Sequence, residues 1–235
     1  MDEAEGAKGR SRDANRTREA ILAAAEAVFA DLGFAGARLD GIAAYSSYNK
    51  SLIGQYFGDK LGLYTEVLKR ADGEVDALLA RVLAPMLEDE SVVSDAHRFR
   101  TYLETMTGAF FDYLSEHPRL LRILTWEMAD GWRTFAVIAQ GFPSENSERF
   151  EAFFRNASSA GLLRSDFLPK IQFSMLMQVC QVHFSFSPLY RLLLPNEDLG
   201  SAAFLARSRR YLVDFIVAGM LKDPGKSEEA MSSRR

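Results

Sequence analysis

The stretch YNKSLIGQYFGDK, Tyr48 to Lys60, combines residue types that neither a core helix nor a loop would ordinarily hold together. Asn49, Lys50, Ser51 and Gln55 carry hydrogen-bonding ends and one positive charge. Ile53 and Phe57 are four apart, so on a helix they share one face and are expected to be pinned to a core while the polar set points elsewhere. A helix N-terminus favours an anion such as phosphate. Lys60 follows where a cation can meet a phosphate, and Tyr56 offers a hydroxyl donor to the same group. The chemistry in view is recognition of a polar, anionic surface rather than bond breaking. No GxSxG, phosphate-binding loop, dinucleotide fingerprint or paired-carboxylate motif occurs elsewhere. His97 and His117 have no partner at ligand spacing, and the single cysteine, Cys180, excludes an internal disulfide and a cysteine-only metal site. Cys180 and His183 read as core residues. No catalytic residue, metal site or cofactor is expected.

The elements that must position this stretch are helices. Ile21, Leu22, Ala25, Val28, Phe29 and Leu32 recur at three and four, with Thr17 as N-cap and Gly33 as the stop. A short helix from Leu39 to about Ala44 follows, then a turn at Tyr45–Tyr48 and a second short helix over Asn49–Phe57. Two short helices joined by a tight turn make a helix-turn-helix. Leu61 to about Leu83 reads as a longer helix broken at Pro85. Further helices are expected at Tyr102–Leu114, from Pro118 through Met128, and over Glu145–Ser159. Pro169 to about Ser187 is another, stopped by Pro188, and Gly200–Leu221 is the last. No segment alternates as a strand would, so the fold class is all-α.

The sequence divides into a basic arm expected to be disordered (1–16), a helix-turn-helix domain (17–60), a larger helical domain (61–222) and a disordered tail (223–235). From Lys8 to Arg18 there are five basic residues, Lys8, Arg10, Arg12, Arg16 and Arg18, against Asp13 alone, preceded by the acidic Asp2, Glu3 and Glu5, on a chain whose formal net charge is −4. The N-terminus has no apolar run of the signal-peptide kind. The longest uncharged run, Ile171 to Tyr190, holds Gln172, Gln178, Gln181 and His183, so no membrane span is expected. With one cysteine, this points to a cytoplasmic protein.

The segment from Thr17 to Leu68 resembles the DNA-binding domain of tetracycline-repressor-like (TetR family) transcriptional regulators. The matching residues are TRxxIL, Phe29 with Gly33-Phe34, Asp40 with Ile42-Ala43, Lys50, and Tyr56-Phe57 with Lys60. The resemblance implies a homodimer on double-stranded, pseudo-palindromic operator DNA, with DNA contacts from Arg38, Asn49, Lys50, Ser51, Leu52, Gly54, Gln55, Tyr56 and Lys60. The chain departs from the family at Ser47, where glycine is frequent, at Tyr45 and Tyr48, and at Gly54, which replaces a frequent aromatic contact. Those four residues keep open a rival reading: a helical ligand- or partner-binding module with a degenerate helix-turn-helix and little specific DNA binding.

The resemblance also implies a small apolar or aromatic effector in the second domain, which would release a repressor from its operator. Phe110, Trp126, Met128, Trp132, Phe154 and Met177 are its expected wall. The last two long helices are the expected dimer interface, through Gln178, Val182, Tyr211, Leu212, Phe215 and Ile216.

Overall fold

The computed structural model describes residues 2–87, 89–139, 145–164 and 168–222, so the expected tail at 223–235 lies outside the described residues. The helices are α1 (Asp2–Gly36), α2 (Leu39–Ser46), α3 (Lys50–Phe57), α4 (Lys60–Leu87), α5 (Ala96–Glu116) and α6 (Pro118–Ala129). They continue as α7 (Arg133–Ala139), α8 (Glu145–Ser159), α9 (Pro169–Ser185), α10 (Ser187–Leu193) and α11 (Ala202–Met220). A 3-10 turn covers Glu90–Val93, and one isolated bridge pairs Leu163 with Leu221. The fold is all-α, as expected.

α5 starts at Ala96, six residues ahead of Tyr102, and three further differences from the sequence reading concern the arm and two prolines. α1 is helical back to Asp2, through the stretch expected as a disordered arm. Ala4, Ala7 and Ala14 are strong helix formers, and no proline interrupts the segment. α4 runs past Pro85 to Leu87, so Pro85 stands in its last turn, where the hydrogen bond it removes is one of the helix's final ones. Pro188 does not end the helical structure: α9 stops at Ser185, and Pro188 stands in the first turn of α10, where its missing N–H costs nothing.

The described residues form two compact units, 1–75 with 117–142, and 76–116 with 143–235. These cut the chain differently from the segments 17–60 and 61–222, because α6 and α7 join the first unit. The first unit packs Ile21, Leu22 and Phe29 of α1 with Ile42, Ile53 and Phe57, and with Leu63 and Tyr64 of α4. Two ion pairs clasp α1 to α4, Arg18 with Glu66 and Arg70 with Glu26. Gly33 ends the regular part of α1 with φ 67° and ψ 173°, a region open essentially to glycine alone. The last carbonyls of a helix have no internal donor. Here the Ala30 carbonyl accepts from Arg122 Nε at 2.9 Å and from Trp126 Nε1 at 3.2 Å, which docks α6 on the end of α1.

In the second unit α5 buries Phe99, Tyr102, Leu103, Met106, Phe110 and Phe111. Phe153 and Phe154 of α8 pack on Phe99, with ring centroids 5.9 and 6.4 Å away. α11 buries Leu212, Val213, Ile216, Val217 and Met220. Its Arg209 reaches over Gly108 to Asp112 of α5 at 2.8 Å.

Candidate nucleic-acid interface

The turn between α2 and α3 is Ser47-Tyr48-Asn49. Ser47 sits at φ 62°, ψ 17°, the left-handed conformation for which glycine is frequent. The hydroxyl of Ser46 braces the turn, donating to the Ala43 carbonyl and accepting from the Tyr48 N–H. Asn49 is the N-cap of α3, and its side-chain oxygen accepts from the Leu52 N–H at 2.8 Å. That commits the oxygen of a residue read as a base reader and leaves its NH2 group to donate.

Ile53 and Phe57 are buried in the core of the first unit, as the spacing predicts. Asn49, Lys50, Ser51 and Gln55 are exposed, and Leu52, Gly54 and Tyr56 are half-buried. Arg38 is exposed just ahead of α2. Lys50 Nζ lies 3.1 Å from the carboxylate of Asp40. Both groups are mostly exposed, so the pair is worth at most about 1 kcal/mol. A good bidentate base contact is worth about 1–3 kcal/mol, enough to draw Lys50 away from Asp40.

Lys60 is placed differently from a simple phosphate holder. Its ammonium donates to the carbonyls of Phe34 at 2.9 Å and Ala37 at 3.1 Å, and lies 4.4 Å from the Phe34 ring centroid. It ties the start of α4 to the end of α1, and at most one N–H is left for a phosphate. The link from α3 to α4 is equally tight. Asp59 caps α4 by accepting from the Gly62 N–H at 2.8 Å, and a Cβ on Gly62 would stand 2.1 Å from the Phe57 carbonyl oxygen. The sequence reading missed Gly62. The available signal was a glycine in the first turn of a helix, where a helix former is the ordinary choice. Tyr45, one of the departures from the family pattern, is 62% exposed at the end of α2.

Gly54 has open space where a Cβ would stand. Gly54→Ala is therefore expected to stabilise the protein by about 1 kcal/mol. An unchanged midpoint in urea denaturation would refute it.

The expected effector wall does not gather in one unit. Phe110 and Phe154 are buried in the second unit and Met177 is half-buried there, whereas Trp126, Met128 and Trp132 belong to the first. Trp126 is 44% exposed, and its indole N–H is taken by the Ala30 carbonyl. Its ring lies 3.0–3.3 Å from where a Cβ on Gly33 would stand. Trp132 holds φ 61°, rare for so bulky a residue, and its ring meets Phe135 edge-on at 5.7 Å. Between the tryptophans Glu127 is buried. Its carboxylate accepts from the Tyr64 hydroxyl at 2.7 Å and from the Phe135 N–H at 2.9 Å. Burial first, and then the hydrogen bond and charge of Glu127, push the Tyr64 hydroxyl well above its ordinary range.

Of the expected interface residues, Gln178, Val182, Tyr211 and Phe215 are exposed, but Leu212 and Ile216 are buried inside their own subunit. Adjacent helical positions are about 100° apart, so the two sets face different ways.

Cys180 is fully buried, which pushes its thiol up to about 12. At pH 8 the thiol is then almost wholly protonated, against roughly a quarter ionised for a free cysteine. A disulfide reagent at pH 8 is expected to label Cys180 only as fast as the protein unfolds. Rapid labelling of the native protein would contradict this. Burial also lowers the pKa of His183, which packs among Phe111, Phe184 and Tyr190. Among the described residues no cluster of His, Cys, Asp and Glu has metal-binding geometry, and no helix is long and apolar enough to cross a membrane.

A capped short helix with an exposed polar face, held on a three-helix head and followed by a helical second unit, defines a helix-turn-helix regulator. The model of the family described as bacterial regulatory proteins, tetR family, matches residues 21–67, and that of the tetracyclin repressor-like C-terminal domain matches residues 100–216. The HTH-type transcriptional repressor SCO4008 of Streptomyces coelicolor is 31% identical over 159 residues, 68% of this chain and 73% of that protein. The HTH-type transcriptional repressor NicS of Pseudomonas putida is 27% identical over 155 residues, 66% of this chain and 63% of that protein. Among solved structures, the putative transcriptional regulator SCO4942 from Streptomyces coelicolor superposes with a TM-score of 0.59, covering 87% of this chain and 98% of its own. At 24% identity that likeness concerns the fold. The chain belongs to the tetR family of bacterial regulatory proteins; it is a DNA-binding transcriptional regulator and not an enzyme.

Proposed function

We propose that this chain is a homodimeric, ligand-responsive repressor of the cytoplasm that binds a pseudo-palindromic operator through paired α3 helices. The observation that carries the reading is the exposed side of α3, where Ser51 and Gln55 lie opposite Ile53 and Phe57 and Lys50 is exposed in the first turn beside the Asn49 cap. Gln55 pairs with adenine N6 and N7, Lys50 with guanine O6 and N7, and Leu52 meets a thymine methyl. Gly54 lets the helix approach closely. Arg38 and Tyr56 hold phosphates, and Lys60 chiefly holds the frame. Both relatives named above are repressors, which supports that sign of regulation. Exposed Gln178, Val182, Tyr211 and Phe215 supply the dimer face. An apolar or aromatic effector in the second unit acts along α4, which continues from the first unit into the second. It releases DNA only by binding the DNA-incompetent state more tightly.

The test is selection of bound duplexes from a random library, followed by titrations at several salt concentrations. The expected product is a pseudo-palindrome bound by a dimer, with half-sites roughly 34–36 Å apart. Gln55→Ala is expected to cost about 1–3 kcal/mol and relax one base position. Tyr56→Phe should weaken all sequences alike. Weak, salt-sensitive binding with no enriched sequence would favour the rival reading, a degenerate helix-turn-helix. The engagement of the Asn49 side-chain oxygen by its own cap supports that rival.

A further inference from the structure

α1 begins at Asp2, whereas the family model of the DNA-binding domain first matches at residue 21. The helix therefore carries an amino-terminal extension, residues 2–20, roughly 27 Å long at 1.5 Å per residue. It joins the first unit beside the recognition helix: the Arg18 guanidinium lies 5.5 Å from the centroid of the Phe57 ring, at the end of α3. The charges along α1 fall into two groups. Arg18 pairs with Glu66 and Glu26 with Arg70, and Glu19 lies within ion-pair reach of Arg18 and Arg70. Arg12 and Arg16 are exposed, and among the described residues no carboxylate holds them. They stand one turn apart on the side of the helix opposite the buried Ile21, Ala25 and Phe29. Lys8 continues the same four-residue spacing one turn further out.

The composition of the extension selects its partner. Apart from alanine, residues 2–16 contain no apolar side chain. A membrane surface or a protein partner calls for an apolar anchor, whereas a phosphate backbone calls only for cations. We propose that the extension of α1 is a second DNA-contacting surface, lying along the phosphate backbone just outside the half-site read by α3, with Arg12 and Arg16 each meeting a phosphate. Such contacts add affinity and fix orientation but carry no base sequence. Asp2, Glu3 and Glu5 at the far end repel phosphate, which confines the contact to the part of the extension nearer α3. The inference rests on the reading of α3 as the operator-reading helix, and it extends the footprint beyond the half-site.

The test compares the full chain with two double variants. Arg12→Gln with Arg16→Gln removes both charges at exposed positions, and Arg12→Lys with Arg16→Lys keeps them. Each is titrated over a range of salt with two duplexes. One ends at the outer edges of the selected pseudo-palindrome, and the other carries a further helical turn, about 10 base pairs, on each side. The parent is expected to bind the longer duplex at least about tenfold more tightly, and the glutamine variant to lose that preference. On the longer duplex the slope of log K against log salt should become shallower by about 2 per bound subunit in the glutamine variant and stay unchanged in the lysine variant. Hydroxyl-radical protection should reach past the outer edges of the operator with the parent and retreat to them with the glutamine variant. Circular dichroism confirms that each variant is folded.

Equal affinity of the parent for the two duplexes would overturn the proposal. So would a glutamine variant with the slope of the parent, or one whose slope falls equally on both duplexes, because the arginines would then act inside the half-site. Random-sequence duplexes of the same two lengths separate this surface from operator reading. If no pseudo-palindrome is selected, but the parent exceeds the glutamine variant on the longer random duplex alone, the extension stands and the operator reading falls. A selected pseudo-palindrome with flanks, bound alike by parent and glutamine variant, refutes the extension alone.

Discussion

Gly62→Ala is expected to lower operator affinity at least a hundredfold and to destabilise the protein by about 2 kcal/mol. Its Cβ would lie 2.1 Å from the backbone oxygen of Phe57, a separation that no pair of unbonded atoms sustains. The obstacle is main chain, so rotating a side chain gives no relief. Either the last turn of α3 or the first turn of α4 must move by about 1 Å. Overpacking at a well-filled site costs about 1–3 kcal/mol, and a backbone collision belongs at the upper end. Replacing glycine in a helix returns about 1 kcal/mol, so strain wins. Phe57 is the core anchor of α3, so the displacement passes directly to the face that meets DNA. Gly73→Ala is the control. It lies on the same helix with nothing within 4 Å of its Cβ, and should stabilise by about 1 kcal/mol. Urea denaturation and operator titration measure both effects, and a Gly62→Ala protein matching the parent in each would refute the argument.

Glu127→Ala is expected to cost about 3–5 kcal/mol. It strands the buried Tyr64 hydroxyl on α4, worth about 1–3 kcal/mol when left unpaired, and the part-buried Phe135 N–H at the start of α7, which costs less. Relief from burying a carboxylate offsets part of this, and the vacated volume adds to it. Tyr64→Phe removes one donor to a charged acceptor and should cost about 1.5–3 kcal/mol. If the two groups act as a pair, Tyr64→Phe combined with Glu127→Leu costs at least 1 kcal/mol less than the sum of the singles. Strict additivity in the double-mutant cycle would show that the hydrogen bond contributes nothing. Tyr64 lies one turn beyond Lys60, so this contact and the Lys60 carbonyl clamp hold the same end of α4.

Part of this was legible in the chain itself. Ile53 and Phe57 declare the buried face of α3 by their spacing, and the polar residues between them declare the exposed one. Gly33 marks the end of regular helix because its backbone conformation excludes a side chain. Ser47 falls where the turn requires φ above zero, and the structure places it there. These are local properties, decided by sterics within a few residues, and the family resemblance over Thr17–Leu68 rests on the same local pattern.

What the tertiary structure alone decided is the choice of partners. Lys60 is a phosphate holder by position, but its carbonyl acceptors lie 26 and 23 residues away, and burial against Phe34 turns it inward. Trp126, expected in a ligand wall, gives its N–H to the Ala30 carbonyl, 96 residues distant. Tyr211 and Leu212, like Phe215 and Ile216, stand side by side on an apolar stripe too broad to say which edge meets the core. Packing buries Leu212 and Ile216 and leaves Tyr211 and Phe215 in the open. Residue type and spacing set what each side chain is able to do; which of those capacities is used depends on groups that only the folded chain brings within hydrogen-bond reach.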